Sequence, residues 1–355
     1  MSKLIVEVCK VEKIEKHPNA DRLSIVTVKG WNCVVSLDQY KEGDLVVYCP
    51  PDSLIPEDII EKYNLEFLKK NGRVGTIKLR KCISQGLILS IPEGKTWKKG
   101  KDVAKELGIV KYEVPEPKFQ QFKGNRPTKK KKNPLFDKYT DINNIKNYNN
   151  VFKEGDLVVI TEKIHGTNFR AGRLPRYTDS LWGKIKSLLF GKYEFIYGSH
   201  RVQITHHNNR HCFYGEDVYG KIAKKYKLAE IIPEDYTIYG EIYGKGIQDL
   251  EYGKEDTDIM FFDVKYKGNY LDFNDARKFI ASLGLRYVPI LSYGKYTLES
   301  VKEYTNGTSI LDLKTIREGC VIKPVKEEND VRIGRKILKS VGEEYLLRKG
   351  ATEYK

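Results

Sequence analysis

Between Leu4 and Ile91, short apolar runs alternate with turn-forming residues. The runs are rich in Val and Ile, and they read LIVEVCKVEKI, LSIVTVKG, NCVVSL, DLVVYCP, GTIKLRK and GLILSIP. Runs of this length and composition are typical of β-strands. Within the same region, apolar residues in Asp58–Lys69 recur at a spacing that predicts a helix. The pattern therefore predicts a small β-barrel with one inserted helix.

A polar stretch rich in helix and strand breakers comes next. Residues Pro115 to Asn133 read PEPKFQQFKGNRPTKKKKN and include four consecutive lysines, Lys129–Lys132. This composition predicts a linker. Two interpretations of the lysine run stay open, a solvated connector and an electrostatic clamp on a phosphate backbone, and one segment can serve as both.

Downstream of Phe152, longer strands alternate with amphipathic helices. Strands are predicted in DLVVITEKI, FIYGSH, YTIYGEIYG, DIMFFDVKY and GCVIKPV, and helices in VYGKIAKKYKLAEII and FNDARKFIASLG. Asp179–Lys192 is a short amphipathic insertion, for which packing on the domain is favoured over a surface contact. We predict three regions: a barrel domain at 1–114, a basic linker at 115–150, and a larger α+β domain with antiparallel sheets at 151–355.

The net charge of the chain indicates which kind of molecule it binds. The 63 Lys and Arg residues exceed the 48 Asp and Glu residues, so the formal net charge is +15. An excess of this size favours polyanions such as nucleic acid. No apolar run approaches the roughly 20 residues that span a bilayer, and the N-terminal stretch lacks a signal-peptide core. We therefore expect no membrane span and a cytoplasmic or otherwise intracellular protein.

Cysteine and histidine spacing argues against a zinc site. The six cysteines are scattered without a C-x-x-C pair, so they are expected to be reduced and mostly buried. Four of the six histidines, together with Cys212, lie in SHRVQITHHNNRHC. Their spacing matches no common zinc pattern, and a polar loop beside a substrate-binding strand is the favoured interpretation.

The segment Thr161–Asn168, TEKIHGTN, is the first candidate for chemistry. It places Lys163 at the end of an apolar strand and Gly166 three residues later. A nucleophilic lysine needs its neutral amine, which desolvation or nearby positive charge supplies, and a glycine allows a nucleotide to approach the backbone. K-x-x-G alone carries little information, because it also begins at Lys69 and Lys265.

The residues that follow supply what attack on a nucleotide α-phosphate requires. Arg201 offers a cation for phosphate, and Glu241 lies between two glycines in YGEIYG, where it is suited to a ribose hydroxyl or a metal-bound water. Phe261 and Phe262 offer a face for a purine. Because side chains alternate along a strand, only one of the two can face the pocket.

The last part of the series is carried by Glu318 and three lysines. Glu318 begins EGCVIK and offers a second carboxylate for a divalent cation, while Lys323 at the end of that segment offers a cation for phosphate. Lys336 and Lys339 follow shortly after.

From about Leu157 to Tyr345, this order resembles motifs I, Ia, III, IIIa, IV and V of the nucleotidyltransferase superfamily of polynucleotide ligases and capping enzymes, an ATP-grasp-like ligase domain. TEKIHGTN looks like the RNA ligase form of motif I, because DNA ligases and capping enzymes usually carry an aspartate where His165 stands. YTDINNIKN, together with an OB-type barrel in front of the transferase, resembles the fifth RNA ligase family. In capping enzymes and most DNA ligases the OB domain follows instead.

The resemblance implies an ATP-dependent RNA ligase that joins a 3′-hydroxyl to a 5′-phosphate, at nicks in RNA-containing duplexes. AMP would be carried on Lys163 and then on the 5′ end, with Mg²⁺ or Mn²⁺ required. The implied partner is RNA, with RNA–DNA hybrid ends left open, and a monomer is expected. The implied catalytic residues are Lys163, Glu241, Glu318 and Lys339, of which Glu318 and Glu241 would organise the metal. The implied contacts to ATP are Glu162, Ile164, Gly166, Asn168, Arg201, Phe262, Phe261, Lys323 and Lys336.

One motif departs from the superfamily pattern. Motif V usually carries lysines two apart, whereas here Ile337 stands two residues before Lys339, and Lys336 stands three before it. This spacing leaves the role of Lys336 in doubt, and Lys323 is an alternative.

A second resemblance lies near the N-terminus. KHPNADRL, at Lys16–Leu23, is similar to OB-type RNA-binding modules attached to tRNA synthetases. Because Pro, Asn and Asp are turn formers, we favour a turn for Asp21 and leave RNA contact open for Lys16 and Arg22.

Three competing functions remain. A capping-type guanylyltransferase would use the same lysine with GTP, and a non-catalytic RNA-binding protein would keep the fold and charge without the lysine. DNA nick sealing is the third, because strand preference depends on contacts to the 2′-hydroxyl that sequence does not show.

Overall fold

The computed structural model describes residues 4–112, 132–148, 150–177, 191–200, 202–204 and 217–348. These residues form two compact units. The first unit contains residues 4–112 with two later segments, 142–148 and 341–348, and the second contains 132–141 and the described part of 150–340. Residues 113–131, which include Pro115 to Lys131 of the predicted linker, lie outside the described residues, as do residues 179–190 of the amphipathic insertion.

The first unit is built mainly from short strands, as predicted. They are β1 Glu7–Lys10, β2 Lys13–Lys16, β3 Leu23–Val28, β4 Trp31–Ser36, β5 Leu45–Cys49, β6 Ser53–Leu54, β7 Thr76–Leu79, β8 Cys82–Gln85, β9 Leu87–Ser90, β10 Val110–Lys111 and β11 Asn143–Asn144. The short helix α1 (Glu57–Lys62) and a 3-10 turn at Glu66–Leu68 confirm the inserted helix. A second 3-10 turn covers Ile145–Asn147, and a short helix covers Glu343–Leu346.

Antiparallel pairing organises these strands into small sheets. One sheet has the order β1-β5-β9, another β2-β3-β4, and β7 forms a hairpin with β8. In β3 every second residue is buried, which is the pattern of a strand with one face towards a core. One apolar cluster includes Val47, Leu89 and Trp97, and another includes Trp31 and Tyr48.

The KHPNADRL segment forms a fixed turn. The ring of His17 is buried; its Nε2 lies 3.2 Å from the carbonyl oxygen of Leu79, and its Nδ1 accepts from the Asn19 amide at 3.1 Å. The Asn19 side chain donates to the Arg80 carbonyl at 2.9 Å. The turn is therefore anchored to the β7–β8 hairpin.

The second unit has longer strands and four helices among its described residues. The strands are β12 Leu157–Lys163, β13 Thr167–Pro175, β14 Tyr193–Ser199, β15 Gln203–Ile204, β16 Tyr236–Gly244, β17 Thr257–Tyr266, β18 Asn269–Tyr270, β19 Ile290–Lys295, β20 Gly319–Pro324, β21 Asn329–Asp330, β22 Gly334–Arg335 and β23 Leu338–Val341. The helices are α2 Val218–Lys225, α3 Leu228–Ile231, α4 Phe273–Ser282 and α5 Leu298–Thr305. The three helices α2, α3 and α4 fall within the two predicted helical segments, whereas α5 was not predicted.

Two antiparallel sheets dominate this unit. The larger has the order β15-β14-β13-β16-β17-β18, and the smaller includes β23-β20-β12-β19 in that order. Apolar residues on one face of the larger sheet, among them Phe169, Ile242 and Phe261, pack against helices α2, α3 and α4. Alternation places Asn168, Glu241 and Met260, which pair across adjacent strands, on the opposite face. The polar residues of motifs I and III are therefore kept away from the helical core.

Two further expectations can be compared with the structure. Cys9, Cys33, Cys49 and Cys320 are buried and Cys82 is half-buried, and all five are free thiols. Within the described ranges, no helix has the length and apolar character needed to cross a membrane.

Candidate active site

Lys163 ends β12 at the point where that strand pairs with β20. Its Cα partner across the strands is Gly319, which immediately follows Glu318. The Nζ atom of Lys163 lies 2.7 Å from Oε1 of Glu318, and the lysine side chain keeps 17% of its surface exposed. The register of two strands therefore brings together two residues that are 155 positions apart in the chain.

Glu318 is a buried carboxylate with a strong preference for its charged form. Burial by itself raises the pKa of this carboxyl, but Lys163 and His165 together outweigh burial and lower the pKa to about 2. Oε2 of Glu318 has no hydrogen-bond partner among the described residues. The carboxylate therefore holds the lysine with one oxygen and retains a second acceptor.

Glu241 lies beside this ion pair in a different electrostatic state. Burial raises its pKa to about 8; Lys163 opposes the rise, and Glu318 adds to it. Its neighbour across the strands is Asn168 on β13. Two carboxyl groups that share one lysine thus have pKa values on opposite sides of neutrality, an arrangement typical of functional sites.

Gly166 is required by close packing between strands. A Cβ atom at this position would lie 2.1 Å from the carbonyl oxygen of Ile242 on β16. No other residue avoids that clash without moving motif I away from motif III. This gives the glycine a packing role in addition to the predicted close approach of a nucleotide.

Glu162 is buried, and alternation places it on the face of β12 opposite to Lys163. Its Oε2 accepts from the backbone amide of Ile310 at 2.9 Å, while Oε1 has no hydrogen-bond partner in the described part of the chain. Burial raises the pKa of this carboxyl. Oε1 of this motif I residue therefore remains an available acceptor.

The two phenylalanines of motif IIIa have different environments. Phe261 is fully buried in the helix-covered core. Phe262 is half-buried and packs with Ile164 and Tyr243 in a separate cluster. The pairing of β16 with β17 shifts at this point, since Tyr239 is opposite Asp263 while Gly240 is opposite Phe261. This bulge turns Phe262 towards motif I.

The lysines predicted to contact phosphate are placed differently from one another. Lys323 forms a buried ion pair with Asp263. Lys336 lies 2.9 Å from Oδ2 of Asp156 and 2.9 Å from Oε2 of Glu328. Lys339 is buried on β23, which neighbours β20 in the sheet. The structure thus brings together Lys163, Glu241 and Glu318, and it pairs Lys323 and Lys336 with other carboxylates; Arg201 lies outside the described residues.

Tyr252 and Asp249 contact motif I and were not singled out from sequence. The amide of His165 donates to the hydroxyl of Tyr252 at 2.7 Å, and Nε2 of His165 lies 2.7 Å from Oδ1 of Asp249. Their position in GKGIQDLEYG, directly after the YGEIYG segment, is the one sequence feature that could have indicated a place near the site.

A sequence model of RNA ligases matches residues 156–341, more than half of the chain. The chain belongs to the RNA ligase family. An OB-fold domain model matches residues 5–91, which confirms the predicted fold of the N-terminal region. No curated protein matches the chain.

Solved RNA ligases share the fold of this family member. Naegleria gruberi RNA ligase with PPi is 23% identical, with 97% of this chain and 98% of that chain covered and a TM-score of 0.72. Mutants of the same enzyme with ATP and Mn, and with AMP and Mn, are each 23% identical, with 96% and 98% coverage and TM-scores of 0.72. The predicted α+β architecture, an OB-type domain followed by a nucleotidyltransferase domain, is thereby confirmed.

The residues present fit a nucleotide and a divalent cation. Glu318 Oε2, Glu162 Oε1 and Asn168 Oδ1 are buried acceptors that lack a hydrogen-bond partner within the described residues. A buried acceptor left unpaired costs about 1–3 kcal/mol. The described residues hold no group of three or more His, Cys, Asp or Glu side chains placed to bind a metal. Magnesium is often held by one or two carboxylates together with substrate phosphates, and Glu318 with Glu241 fits that arrangement.

Proposed function

We propose that this RNA ligase uses ATP and Mg²⁺ or Mn²⁺ to join a 3′-hydroxyl to a 5′-phosphate through an adenylate on Lys163. The observation that carries the proposal is the contact of Lys163 Nζ with Glu318 at 2.7 Å, beside Glu241. The ATP, AMP and Mn of the Naegleria gruberi structures support the choice of nucleotide and metal.

In the first step, the neutral amine of Lys163 attacks the α-phosphate of ATP. A P–N bond forms, the bond between the α-phosphorus and the bridging oxygen breaks, and pyrophosphate leaves. The amine loses its proton to a neighbouring base or to water. Glu318, which neutralises the ammonium form in the structure, must exchange this contact for another as the lysine becomes neutral. A bound divalent cation would supply charge neutralisation on the phosphates, held by Glu318 and Glu241.

Two further transfers complete the reaction. A 5′-phosphate oxygen attacks the phosphorus of the lysyl-adenylate, the P–N bond breaks, and the Lys163 amine is reprotonated. A 3′-hydroxyl then attacks the adenylylated 5′-phosphate, losing its proton as the phosphodiester bond forms and AMP leaves. Positioning and charge neutralisation provide most of the catalysis in such transfers.

Purine binding is assigned to the cluster that contains Phe262 and Ile164. Phe262 is the half-buried member of the motif IIIa pair and packs beside Ile164, and we assign its ring to stacking on the purine. The unpaired Oε1 of Glu162 is an acceptor suited to an exocyclic amino group. The contacts of Asn168, Arg201 and Lys339 with ATP or RNA stay predictions, as do the monomeric state, the intracellular location and the use of RNA–DNA hybrid ends.

The test is incubation of the purified chain with α-labelled ATP, and separately with α-labelled GTP, in Mg²⁺ or Mn²⁺, followed by denaturing electrophoresis. Label from ATP that is absent in Lys163→Ala supports the proposal. Label from GTP alone favours a capping-type guanylyltransferase, and no label from either nucleotide favours a non-catalytic RNA-binding protein. Nicked duplexes with RNA or DNA 3′ ends then separate RNA from DNA sealing.

A further inference from the structure

The loop at residues 245–253, here called the clamp loop, contacts motif I through three side chains. It follows β16 directly, so its contacts link motif III on that strand to motif I. Gln248 Nε2 donates to the carbonyl oxygen of Gly166 at 3.3 Å. Tyr252 accepts from the His165 amide at 2.7 Å, and Asp249 Oδ1 lies 2.7 Å from His165 Nε2.

The clamp loop reaches motif I in a constrained backbone conformation. Gly246, Tyr252 and Gly253 have φ values of 79°, 51° and 62°. A left-handed conformation is unfavourable for an aromatic residue, so surrounding contacts must hold Tyr252 in place. Its side chain is buried, and its ring packs edge-on against Tyr243 with centroids 5.5 Å apart.

His165 connects the clamp loop with the reactive pair. One ring nitrogen faces Asp249, and the other, Nδ1, lies 3.7 Å from Oε2 of Glu318. Glu318 in turn holds Lys163 through its other oxygen at 2.7 Å. The imidazole is almost completely buried, whereas the Asp249 side chain is 52% exposed. The contacts therefore run from a surface carboxylate to the nucleophile.

We propose that Asp249 is a positioning residue for adenylylation of Lys163. By pairing with Nε2 of His165, it holds the imidazole ring against Glu318, with Nδ1 3.7 Å from Oε2, and it thereby keeps in place the carboxylate that holds Lys163. Asp249 makes no contact with the nucleotide in this role. The inference rests on the proposed function, because it concerns the same lysine and the same first step.

The test is single-turnover labelling of the full chain with α-labelled ATP over a range of ATP concentrations. For Asp249→Ala, we expect the rate constant at saturating ATP to fall about tenfold, with the half-saturating ATP concentration within about twofold of wild type. Asp249→Asn keeps an acceptor oxygen and should stay within about threefold of wild type. Glu251→Ala removes an exposed carboxylate from the same loop and is the matched control.

A double-mutant cycle separates this role from a general effect on folding. Because Asp249 acts through His165, Asp249→Ala should add no further loss to His165→Ala. An Asp249→Ala rate within twofold of wild type, an additive loss in the His165→Ala background, or an Asp249→Asn variant as slow as Asp249→Ala would each overturn the positioning role. Absence of label on the wild-type chain would instead overturn the proposed function, and this inference with it.

Discussion

Lys163 and Lys323 lie on the neighbouring strands β12 and β20 of one sheet, and their ion pairs with Glu318 and Asp263 differ in what surrounds them. In the first, Lys163 contacts Glu318, the lysine is 17% exposed, and one carboxylate oxygen has no hydrogen-bond partner in the described chain. In the second, Lys323 contacts Asp263, and the side chains are only 5% and 1% exposed.

The second pair is fully enclosed by further partners. Asp263 also accepts from Arg335 at 2.9 Å and from the hydroxyl of Tyr139, and Arg335 pairs with Glu327. Burial raises the pKa of Asp263, but the charges of Arg335 and Lys323 outweigh burial and lower this pKa to about 2. A lysine enclosed in this way is suited to a structural role, whereas Lys163 keeps access to solvent and lies beside a carboxylate oxygen without a hydrogen-bond partner in the described chain. The comparison predicts that disrupting the first pair reduces activity and disrupting the second reduces stability.

The largest effect is expected for Glu318→Gln. The substitution removes the charge opposite Lys163 and one of the two carboxylates assigned to the metal, while it keeps the shape of the side chain. We expect the rate of Lys163 adenylylation to fall by about 100-fold or more, because preorganised charge is the main source of catalysis at such sites. Single-turnover labelling with α-labelled ATP measures it.

Glu328→Gln is the matched control for that substitution, since Glu328 is 52% exposed and contacts Lys336. The control should change the labelling rate by less than about twofold, because the charge it removes is exposed to water. A Glu318→Gln variant that labels within threefold of wild type would contradict the division between the two pairs.

Asp263→Asn is expected to have the largest effect on stability. It leaves the buried cations of Lys323 and Arg335 without their shared counter-ion, and breaking a buried ion pair in this way costs about 3–5 kcal/mol. Urea unfolding followed by circular dichroism measures the change in the free energy of unfolding. Asp137→Asn, which removes an exposed partner of Lys265, should cost less than about 1 kcal/mol. Equal losses for the two variants would refute the structural role of the Asp263 network.

Motif order placed both residues of the first pair in one predicted site, but it did not predict a carboxylate partner for Lys323. Lys163, Glu241 and Glu318 each lie at a strand end or beside a glycine in an ordered series, so their convergence follows from motif order and antiparallel pairing. Lys323 lies in the same EGCVIK segment as Glu318, and we expected its ammonium group to contact phosphate. That contact stays a prediction. The partner of Lys323, Asp263, lies 60 positions away in the chain, and sequence periodicity does not report such a contact.

Two other features of the structure, the orientation of Phe262 and the packing of Tyr139, could not be predicted from sequence, also for physical reasons. The alternation rule separated Phe261 from Phe262, but the bulge that turns Phe262 has no marker in FFD. The hydroxyl of Tyr139, within the region predicted as a linker, donates to Asp263 in the second unit. The lysine- and proline-rich composition just before this segment concealed its packing.

Glu241→Gln is expected to give a moderate effect that depends on pH. The pKa of Glu241 rises from 4.5 to about 8 on folding, so the folded chain retains a proton that the unfolded chain loses between these values. Wild-type stability therefore falls as pH rises through this window, and the neutral glutamine removes that fall. Between pH 5 and pH 8.5, the free energy of unfolding of the variant should rise by about 1–2 kcal/mol relative to that of wild type. This rise is smaller than the full linkage value because the Glu241 side chain is only half-buried.

Urea unfolding of both proteins at the two pH values measures this gain. Glu251→Gln, on the exposed surface of the clamp loop, should show no such trend. A stability difference between Glu241→Gln and wild type that stays constant or shrinks with rising pH would mean that Glu241 is already ionised in the folded chain.

Lys336→Ala should have the smallest effect and addresses the departure in motif V. Burial lowers the pKa of Lys336, but hydrogen bonds to Glu328 and Asp156 raise it overall, so the ammonium is held by two carboxylates. Partly exposed pairs of this kind contribute about 0–1 kcal/mol. We expect adenylylation within about threefold of wild type, whereas Lys339→Ala, on the buried β23, should lose about 100-fold if Lys339 orients phosphate. A tenfold or greater loss of adenylylation rate in Lys336→Ala would show that Lys336 leaves its two carboxylate partners to contact ATP. Motif V would then contain two lysines that contribute to catalysis despite its altered spacing.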